Sequence, residues 1–340
     1  MSGRDARQPE CLARHAAAIT RRCFLKAAAG AGAALTLPGC APMLVSDGGL
    51  TAATAILRAR YDQVLADVIA AGFDLVPPPD VLGKRVLLKV NLVDLPREAR
   101  PIVTDPAVIV AAAEAFRRRG AAEIVVADGP ALQRDAWQIV DAIGLTPLLH
   151  EHGLRFVDLN GVDPVRQANP GGLTGLDHLY FARTAVDADV LVSMPKMKTH
   201  HWLGVSLAMK NMFGVMSSMV YGAPRNVFHL RNPESAVLDF NRGRPIDYAI
   251  VDGVVGLEGD GPVRGTGIDV GVLVMGSNAT AVDATAARVM GVGPLQVGYM
   301  RQAAGSLGPI HESSIEQRGE TIASVQTSFA LLPHQASLKL

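Results

Sequence analysis

Short apolar runs rich in β-branched residues recur along this chain, and helical patterns separate them. Asp105 and Pro106 have the residue types of a helix start, and Gly120 is typical of a helix end. Strands without polar alternation are buried on both faces, and their alternation with helices is typical of α/β proteins. The sequence therefore predicts an α/β fold with a largely parallel sheet and helices on both faces. The predicted strands cover residues 85–90, 123–127, 156–157, 189–193, 248–251 and 270–274.

Composition along the chain predicts four segments. Residues 1–40 have the layout of a signal peptide, and residues 41–79 predict a linker followed by a helix over 53–72. The α/β domain is expected over residues 80–320. Residues 321–340 contain proline and few apolar runs, and we expect them to form a loosely attached tail.

The first forty residues predict export. Arg21 and Arg22 stand before the apolar run 27–37, which is too short to cross a bilayer of about 30 Å as a helix. This arrangement resembles a twin-arginine signal, so we expect the export machinery as a partner and a periplasmic location. The leader ends in a lipobox-like sequence at Cys40, which predicts lipidation of that residue and a membrane tether.

Composition excludes several classes of protein. The chain has 32 basic and 32 acidic residues, and a nucleic-acid-binding protein would carry a basic surplus, so no nucleic-acid partner is expected. All three cysteines, Cys11, Cys23 and Cys40, lie within the leader. We therefore expect no disulfide and no cysteine-ligated iron–sulfur cluster beyond it.

Polar residues follow the predicted strands at the places where parallel strands bind ligands. Lys89 and Asn91 follow one strand, and Asp128 ends the next. Six lysines lie beyond the leader, and three of them, Lys196, Lys198 and Lys210, fall between residues 196 and 210. Lysine is a compact charge suited to oxyanions, so this grouping predicts an anion site.

These residues resemble the family called domain of unknown function 362. The resemblance implies a shared site along residues 80–300 but no established reaction. Some relatives carry a ferredoxin-like module, whereas this chain has no cysteine there to support one. Where the family usually has Lys-Pro-Asn, this chain has Val90 between Lys89 and Asn91. The matching positions are residues 195–200, then Lys210, Asn211 and Gly214, then Asp252 and residues 258–262, and finally Gly276, Ala281 and Asp283.

The first functional hypothesis is an enzyme acting on a small carboxylate- or phosphate-bearing substrate. In this hypothesis the lysines at positions 89, 196, 198 and 210 bind the anion, and the Gly-rich loop 259–267 donates backbone N–H groups to it. His200 or Asp252 exchanges protons with the substrate. Substitution of either Lys196 or Lys198 is expected to abolish anion binding with little loss of stability. The candidate catalytic residues are Lys196, Lys198, His200 and Asp252, and the candidate ligand-binding residues are Lys89, Asn91, Asp128, Lys210, Asn211, Glu258, Gly259 and Gly261.

Two other hypotheses stay open. The second is a metal- or cofactor-bearing, redox-associated protein in which Asp252, Glu258 and His200 hold a divalent cation, with His201, Asp128, Asp260 and Asp283 as further ligands. The third is a non-catalytic lipoprotein that binds an anionic solute. A methionine-rich copper site is disfavoured, because the methionines within residues 205–216 have helical spacing and predict a core helix.

Overall fold

The computed structural model describes residues 45–96, 101–131 and 135–340. Val45–Leu340 make one compact unit. The predicted signal peptide and its Cys40 lie outside the described residues. In the described ranges, none of the helices has the length and apolar character needed to cross a membrane.

Twelve strands and eleven α-helices are present in the described ranges. The strands are β1 Ala52–Arg58, β2 Arg85–Lys89, β3 Glu123–Asp128, β4 Arg155–Asp158, β5 Pro164–Ala168, β6 His178–Ala182, β7 Val190–Ser193, β8 Lys196–His200, β9 Gly204–Ser206, β10 Tyr248–Glu258, β11 Thr266–Gly276 and β12 Ile315–Gly319. The α-helices are Leu65–Leu75, Pro106–Arg118, Ala136–Ala142, Leu145–Glu151, Arg183–Val186, Ser218–Tyr221, Asn226–Arg231, Pro233–Gly243, Ala279–Val289, Gly298–Ala303 and Ile322–Val325. Short 3₁₀ helices cover Leu159–Gly161, Lys210–Val215, Glu312–Ser314 and Pro333–Leu338.

The main sheet is mixed and mostly parallel, with the strand order β12-β1-β11-β10-β7-β2-β3-β4. Parallel pairing joins β10, β7, β2, β3 and β4, whereas β11 runs antiparallel to both of its neighbours. β8 continues beyond β7 along the same edge of β10 and forms a short antiparallel pair with β9. β5 and β6 form a separate two-stranded sheet.

Two apolar cores lie on opposite faces of the sheet. Along β2, Val86 and Leu88 join one core, whereas Leu87 between them joins the other. The first core includes the helices Leu65–Leu75 and Pro106–Arg118, and the second includes the helix Ala279–Val289. The predicted α/β fold, with a largely parallel sheet and helices on both faces, is confirmed.

The strongest sequence signals match the structure. The apolar runs form β2, β3, β7, β10 and β11. The predicted helix start is also present: the side chain of Asp105 accepts a hydrogen bond from Ala107 N, and Pro106 is the first residue of the helix.

Two predicted helices were wrong. Residues 53–72 contain β1 followed by a helix that begins only at Leu65, because the first apolar run pairs with β11 and β12. Residues 205–216 contain the end of β9 and the 3₁₀ helix Lys210–Val215. The methionines of that segment are nevertheless buried in the core, as their spacing suggested.

The C-terminal segment, which we expected to be loosely attached, is part of the compact unit. Phe329 is only 1% exposed. Its ring lies against β10, where a Cβ added to Gly256 would be 2.7 Å from a ring carbon of Phe329. Gln335 Nε2 donates to the carbonyl oxygen of His200 at 2.8 Å. The segment therefore supports the strand that carries two of the candidate lysines.

Phe329→Ala tests this attachment. We expect the free energy of unfolding to fall by about 3–5 kcal/mol, because the substitution leaves a cavity beside β10. Leu340→Ala is the control, since Leu340 is 66% exposed. Urea denaturation measures both variants, and equal stability of the two would contradict the packing described here.

Candidate functional site

One cavity of about 70 Å³ opens at the carboxyl ends of β2 and β3. Four basic side chains and a single carboxylate, Asp128, line it among the described residues. Two histidines also line the cavity. The basic and histidine residues are Lys89, Lys198, Lys210, Arg225, His200 and His229.

Lys89 and Asp128 form a buried ion pair at the base of the cavity. Lys89 Nζ lies 2.6 Å from Asp128 Oδ1. Asp128 also accepts hydrogen bonds from the backbone N–H groups of Leu92 and Gly129 at 2.6 and 2.8 Å. Burial lowers the pKa of Lys89, and the charge of Asp128 opposes that shift. The pair thus joins the ends of two neighbouring parallel strands.

Two asparagine side chains connect this ion pair to Lys198. Asn211 Oδ1 accepts from Lys89 Nζ at 3.0 Å and from Asn91 Nδ2 at 3.3 Å. Asn91 Oδ1 accepts from Lys198 Nζ at 2.6 Å. Asn211 Nδ2 donates to the carbonyl oxygen of Lys89. These bonds orient both amide groups, so the predicted residues Lys89, Asn91, Asp128, Lys198 and Asn211 form one network.

Lys198 is buried without a carboxylate partner among the described residues. Its second hydrogen bond goes to the carbonyl oxygen of Ile102 at 2.8 Å, so both of its acceptors are neutral. Burial, followed by the charges of Lys210 and Lys196, places the pKa of Lys198 well below its usual range. A group with such a shift beside a cavity is typical of functional sites.

Lys210 begins the 3₁₀ helix Lys210–Val215 and reaches the same cavity. Its Nζ lies 3.9 Å from the centre of the Phe213 ring and makes no hydrogen bond or ion pair to any residue of the described ranges. Burial, with the nearby charges of Lys89 and Arg225, lowers the pKa of Lys210 to about 7. The amine is therefore about half neutral at neutral pH.

Asp283 positions the segment that precedes Lys210. Its carboxylate accepts from the backbone N–H groups of Ala208 and Met209 at 2.7 and 3.0 Å, and from the hydroxyl of Tyr299 at 3.2 Å. Burial raises the pKa of Asp283 to about 7. Asp283 does not line the cavity, so we assign it a positioning role.

Arg225 and His229 are two lining residues that the sequence analysis missed. The Arg225 guanidinium donates only to neutral oxygens, namely the carbonyls of Met216, Gly129 and Pro130 and the amide of Asn160. Burial lowers its pKa to about 10, which still leaves it charged at neutral pH. Arg225 has a left-handed backbone (φ 61°), and neither residue follows a strand, so no local sequence signal marks them.

The two histidines that line the cavity are neutral and are held in opposite tautomers. His200 Nδ1 accepts from the backbone N–H groups of Trp202 and Leu203, which leaves its proton on Nε2. His229 Nδ1 donates to the carbonyl oxygen of Arg225, which leaves a lone pair on Nε2. Burial and the charge of Lys210 lower the pKa of His229 to about 4 and place the pKa of His200 well below its usual range.

The predicted catalytic residues Lys196 and Asp252 meet each other, but they do not line the cavity. Lys196 Nζ lies 2.6 Å from Asp252 Oδ2 and donates to the hydroxyl of Tyr61 at 2.7 Å. Tyr61 in turn donates to Asp252 Oδ1 at 3.0 Å. Asp252 also accepts from the backbone N–H of Asp105, the residue that caps the helix Pro106–Arg118. This buried cluster therefore connects β8, β10 and that helix.

The Gly-rich loop after β10 does not present the backbone N–H groups that the sequence suggested. Gly259 N donates to the carbonyl of Ala330, and Gly261 N donates to the carbonyl of Gly259. Glu258 accepts from Ala330 N and does not line the cavity. The carbonyl of Gly261 accepts from both N and Nδ1 of His201, so the loop is fixed against the end of β8.

The candidate metal ligands are not gathered in one place. In residues 45–96, 101–131 and 135–340, no three His, Cys, Asp or Glu side chains form a group that could hold a metal ion. Asp252 pairs with Lys196, Glu258 binds the C-terminal segment, and His200 faces the lysine-lined cavity. Asp128 and Asp283 use their oxygens on the backbone groups described above.

Residues 86–288 match the family described as "Domain of unknown function (DUF362)". The chain belongs to this family. The network of Lys89, Asp128, Lys198 and Asn211 lies within the matched part of the DUF362 chain.

Other comparisons give relatives and distant structures. A Synechocystis protein named "Thylakoid-associated protein sll1697" is 28% identical over 224 residues, which cover 64% of this chain and 66%, just under two thirds, of the relative. The lactate racemase apoprotein of Thermoanaerobacterium thermosaccharolyticum is 12% identical with a TM-score of 0.43, over 71% of this chain and 58% of that one. A Thermotoga maritima protein is 9% identical with a TM-score of 0.34, over 59% and 52%. Both scores are too low to support a statement about the site.

The two lysines of β8 are expected to respond differently to substitution in this DUF362 chain. Lys196→Met leaves Asp252 buried without its cation. In place of the small effect on stability that the sequence predicts for Lys196, we therefore expect a loss of about 3–5 kcal/mol in the free energy of unfolding. Lys198→Met removes a buried amine that has no carboxylate partner, so we expect a change of only about 1 kcal/mol. Urea denaturation compares the two. A greater loss for Lys198→Met would contradict the assignment of the ion pair to Lys196.

Proposed function

We propose that this protein is an enzyme acting on a small anionic substrate, a carboxylate- or phosphate-bearing molecule, bound in the lysine-lined cavity. The observation that supports this proposal most directly is the excess of positive groups. Lys198, Lys210 and Arg225 line the cavity, and the one carboxylate of its described lining, Asp128, is already paired with Lys89.

Electrostatics favours an anion in this cavity. Lys198 is buried and Lys210 is partly buried, and neither has a negative partner in the described ranges. Each amine loses hydration that nothing replaces, and this loss lowers the pKa values of both. An anion placed beside either amine favours the charged form of that amine. Binding of substrate and uptake of protons are therefore coupled.

The available hydrogen-bond donors also suit an oxyanion. Lys210 Nζ has no hydrogen-bond partner among the described residues, and His200, whose proton is on Nε2, lines the same cavity. The guanidinium of Arg225 is fully engaged with neutral oxygens, so it contributes charge and not a free donor.

The histidines favour an enzyme over a binding protein. Anion capture needs only the cations, whereas this lining adds one neutral imidazole whose Nε2–H can donate a hydrogen bond to a substrate oxygen and another whose Nε2 can accept a proton. A proton acceptor and a hydrogen-bond donor beside a bound substrate are groups that assist proton transfer and stabilise developing negative charge. A binding protein without turnover would show the same affinity but no change in the bound molecule.

Sulfate binding as a function of pH tests the anion site. Sulfate keeps its charge between pH 5 and 9, so any pH dependence belongs to the protein. Lys210, whose pKa is about 7, is charged below that pH and neutral above it. We therefore expect affinity to fall roughly tenfold as the pH rises from about 6 to 8. Isothermal titration calorimetry measures the affinity and the accompanying proton uptake.

Lys210→Met supplies the matched comparison. It should bind sulfate about tenfold more weakly at pH 6 and lose most of the pH dependence. Lys198, whose pKa is also lowered, and Asp283, whose pKa is raised to about 7, are still present in this variant, so a dependence that persists would be assigned to one of these two groups. Lys339→Met, at an exposed position, should behave as the unmodified protein. Absence of sulfate binding by the unmodified protein would contradict the proposal.

We also propose that the protein is exported by the twin-arginine route and tethered in the periplasm through lipidated Cys40. The support is the Arg21–Arg22 pattern and the lipobox-like sequence, together with a relative that is named as thylakoid-associated. Fractionation of cells that make the full chain tests this. Cys40→Ser should move the protein from the membrane fraction to the soluble periplasm, and retention of that variant on membranes would contradict a tether at Cys40.

A further inference from the structure

We propose that the substrate carries a reactive carbonyl beside its negative charge, as in a 2-oxo acid or an aldehyde acid, and that Nζ of Lys210 condenses with that carbonyl. The inference rests on the proposed anion site and extends it by assigning a covalent step to one atom. It follows from how differently the three lysines of the cavity are held.

Lys210 is distinguished from the other two lysines by its freedom. Lys89 is paired with Asp128, and Lys198 donates to Asn91 and to a backbone carbonyl. Lys210 Nζ lies over the face of the Phe213 ring and makes no hydrogen bond or ion pair within the described part of the chain. A condensing amine must offer an unshared electron pair and must move toward the substrate, and only Lys210 combines both.

The surroundings of Lys210 also favour the neutral amine. Burial, with Lys89 and Arg225 nearby, lowers the pKa of Lys210 from its usual range to about 7. This shift raises the neutral fraction at pH 7 by roughly a thousandfold. A desolvated lysine beside other cations is a recognised way to make a nucleophilic amine.

The condensation can be balanced with groups of the cavity. The Lys210 nitrogen attacks the carbonyl carbon, the carbonyl oxygen takes a proton, and the nitrogen loses one, which gives a carbinolamine. A proton from solvent then reaches the hydroxyl, the C–O bond breaks, and water leaves as the protonated imine forms. The Nε2 lone pair of His229 can carry the proton lost by the nitrogen to the carbonyl oxygen, and the Nε2–H of His200 can donate a hydrogen bond to that oxygen. The carboxylate of the substrate faces the remaining cations.

Reductive trapping tests the inference on the full chain without knowledge of the natural substrate. The protein is incubated at pH 7 with pyruvate and cyanoborohydride, which delivers hydride to an imine carbon and converts it to a stable secondary amine. Reduction of the imine formed with pyruvate leaves a carboxyethyl group on the lysine nitrogen, and peptide mass spectrometry then identifies which lysine carries it. We expect Lys210 to be modified at least about tenfold faster than Lys84 and Lys339, because far less of an ordinary lysine is neutral at this pH.

Two comparisons distinguish condensation that depends on binding of the substrate's negative charge in the cavity from condensation that depends only on the low pKa of the amine. Acetone has the carbonyl of pyruvate without its charge, and should show much less preference for Lys210. Sulfate, which occupies the anion site, should slow the reaction with pyruvate. Lys210→Arg keeps the positive charge and should still bind sulfate, but no carboxyethyl group should form in the cavity.

The outcomes distinguish this inference from the function on which it rests. If sulfate binds and Lys210 is modified no faster than Lys84 and Lys339, the covalent step is overturned while the anion site stands. Preferential modification of Lys198 would also overturn the assignment to Lys210. If sulfate does not bind and Lys210 shows no preference for pyruvate over acetone, the anion site and the condensation fail together.

Discussion

The ion pair between Lys89 and Asp128 is the contact on which the rest of the site depends. It joins the ends of β2 and β3 and also orients Asn211, which brings the 3₁₀ helix Lys210–Val215 over the same edge of the sheet. The approach is close enough that a Cβ on Gly214 would collide with Asp128 Oδ1 and lie 2.7 Å from Lys89 Nζ. Since an unpaired buried charge is costly, loss of either partner would disturb both strands and the helix.

Around this ion pair lie basic side chains that have no carboxylate partner among the described residues. Lys198 and Arg225 donate only to neutral oxygens, and Lys210 donates to no described residue. Cations held in this way lower the stability of the empty protein, because burial removes water that no carboxylate replaces. Such local costs are expected at functional sites, where a ligand supplies the missing partner. The contrast with the fully paired Lys196 is what identifies this cavity as the place for an anion.

Much of the fold could be predicted from sequence because β2, β3, β7 and the helix Pro106–Arg118 carry local signals, namely apolar runs and a helix cap. The failures lie where distant contacts override local ones. The sequence of β1 predicts a helix because alanine favours helices, whereas pairing with β11 and β12 makes this segment a strand. Arg225 and His229 reach the cavity through the packing of the chain between Gly214 and Pro233. No residue spacing or helix cap in the sequence predicts that these two residues line the cavity.

The two lysines of β8 show why a motif alone does not define the site. Lys196 and Lys198 are two residues apart on one strand, yet Asp252 stands opposite the first and Leu257 opposite the second, because the register of β10 shifts between them. The first lysine therefore meets a carboxylate, and the second meets an apolar residue and neutral oxygens. Lys196 therefore stabilises the fold through its ion pair with Asp252, whereas Lys198 lines the cavity and is available to a ligand. The different roles of the two lysines depend on the register of β10, and the sequence of the motif does not determine that register.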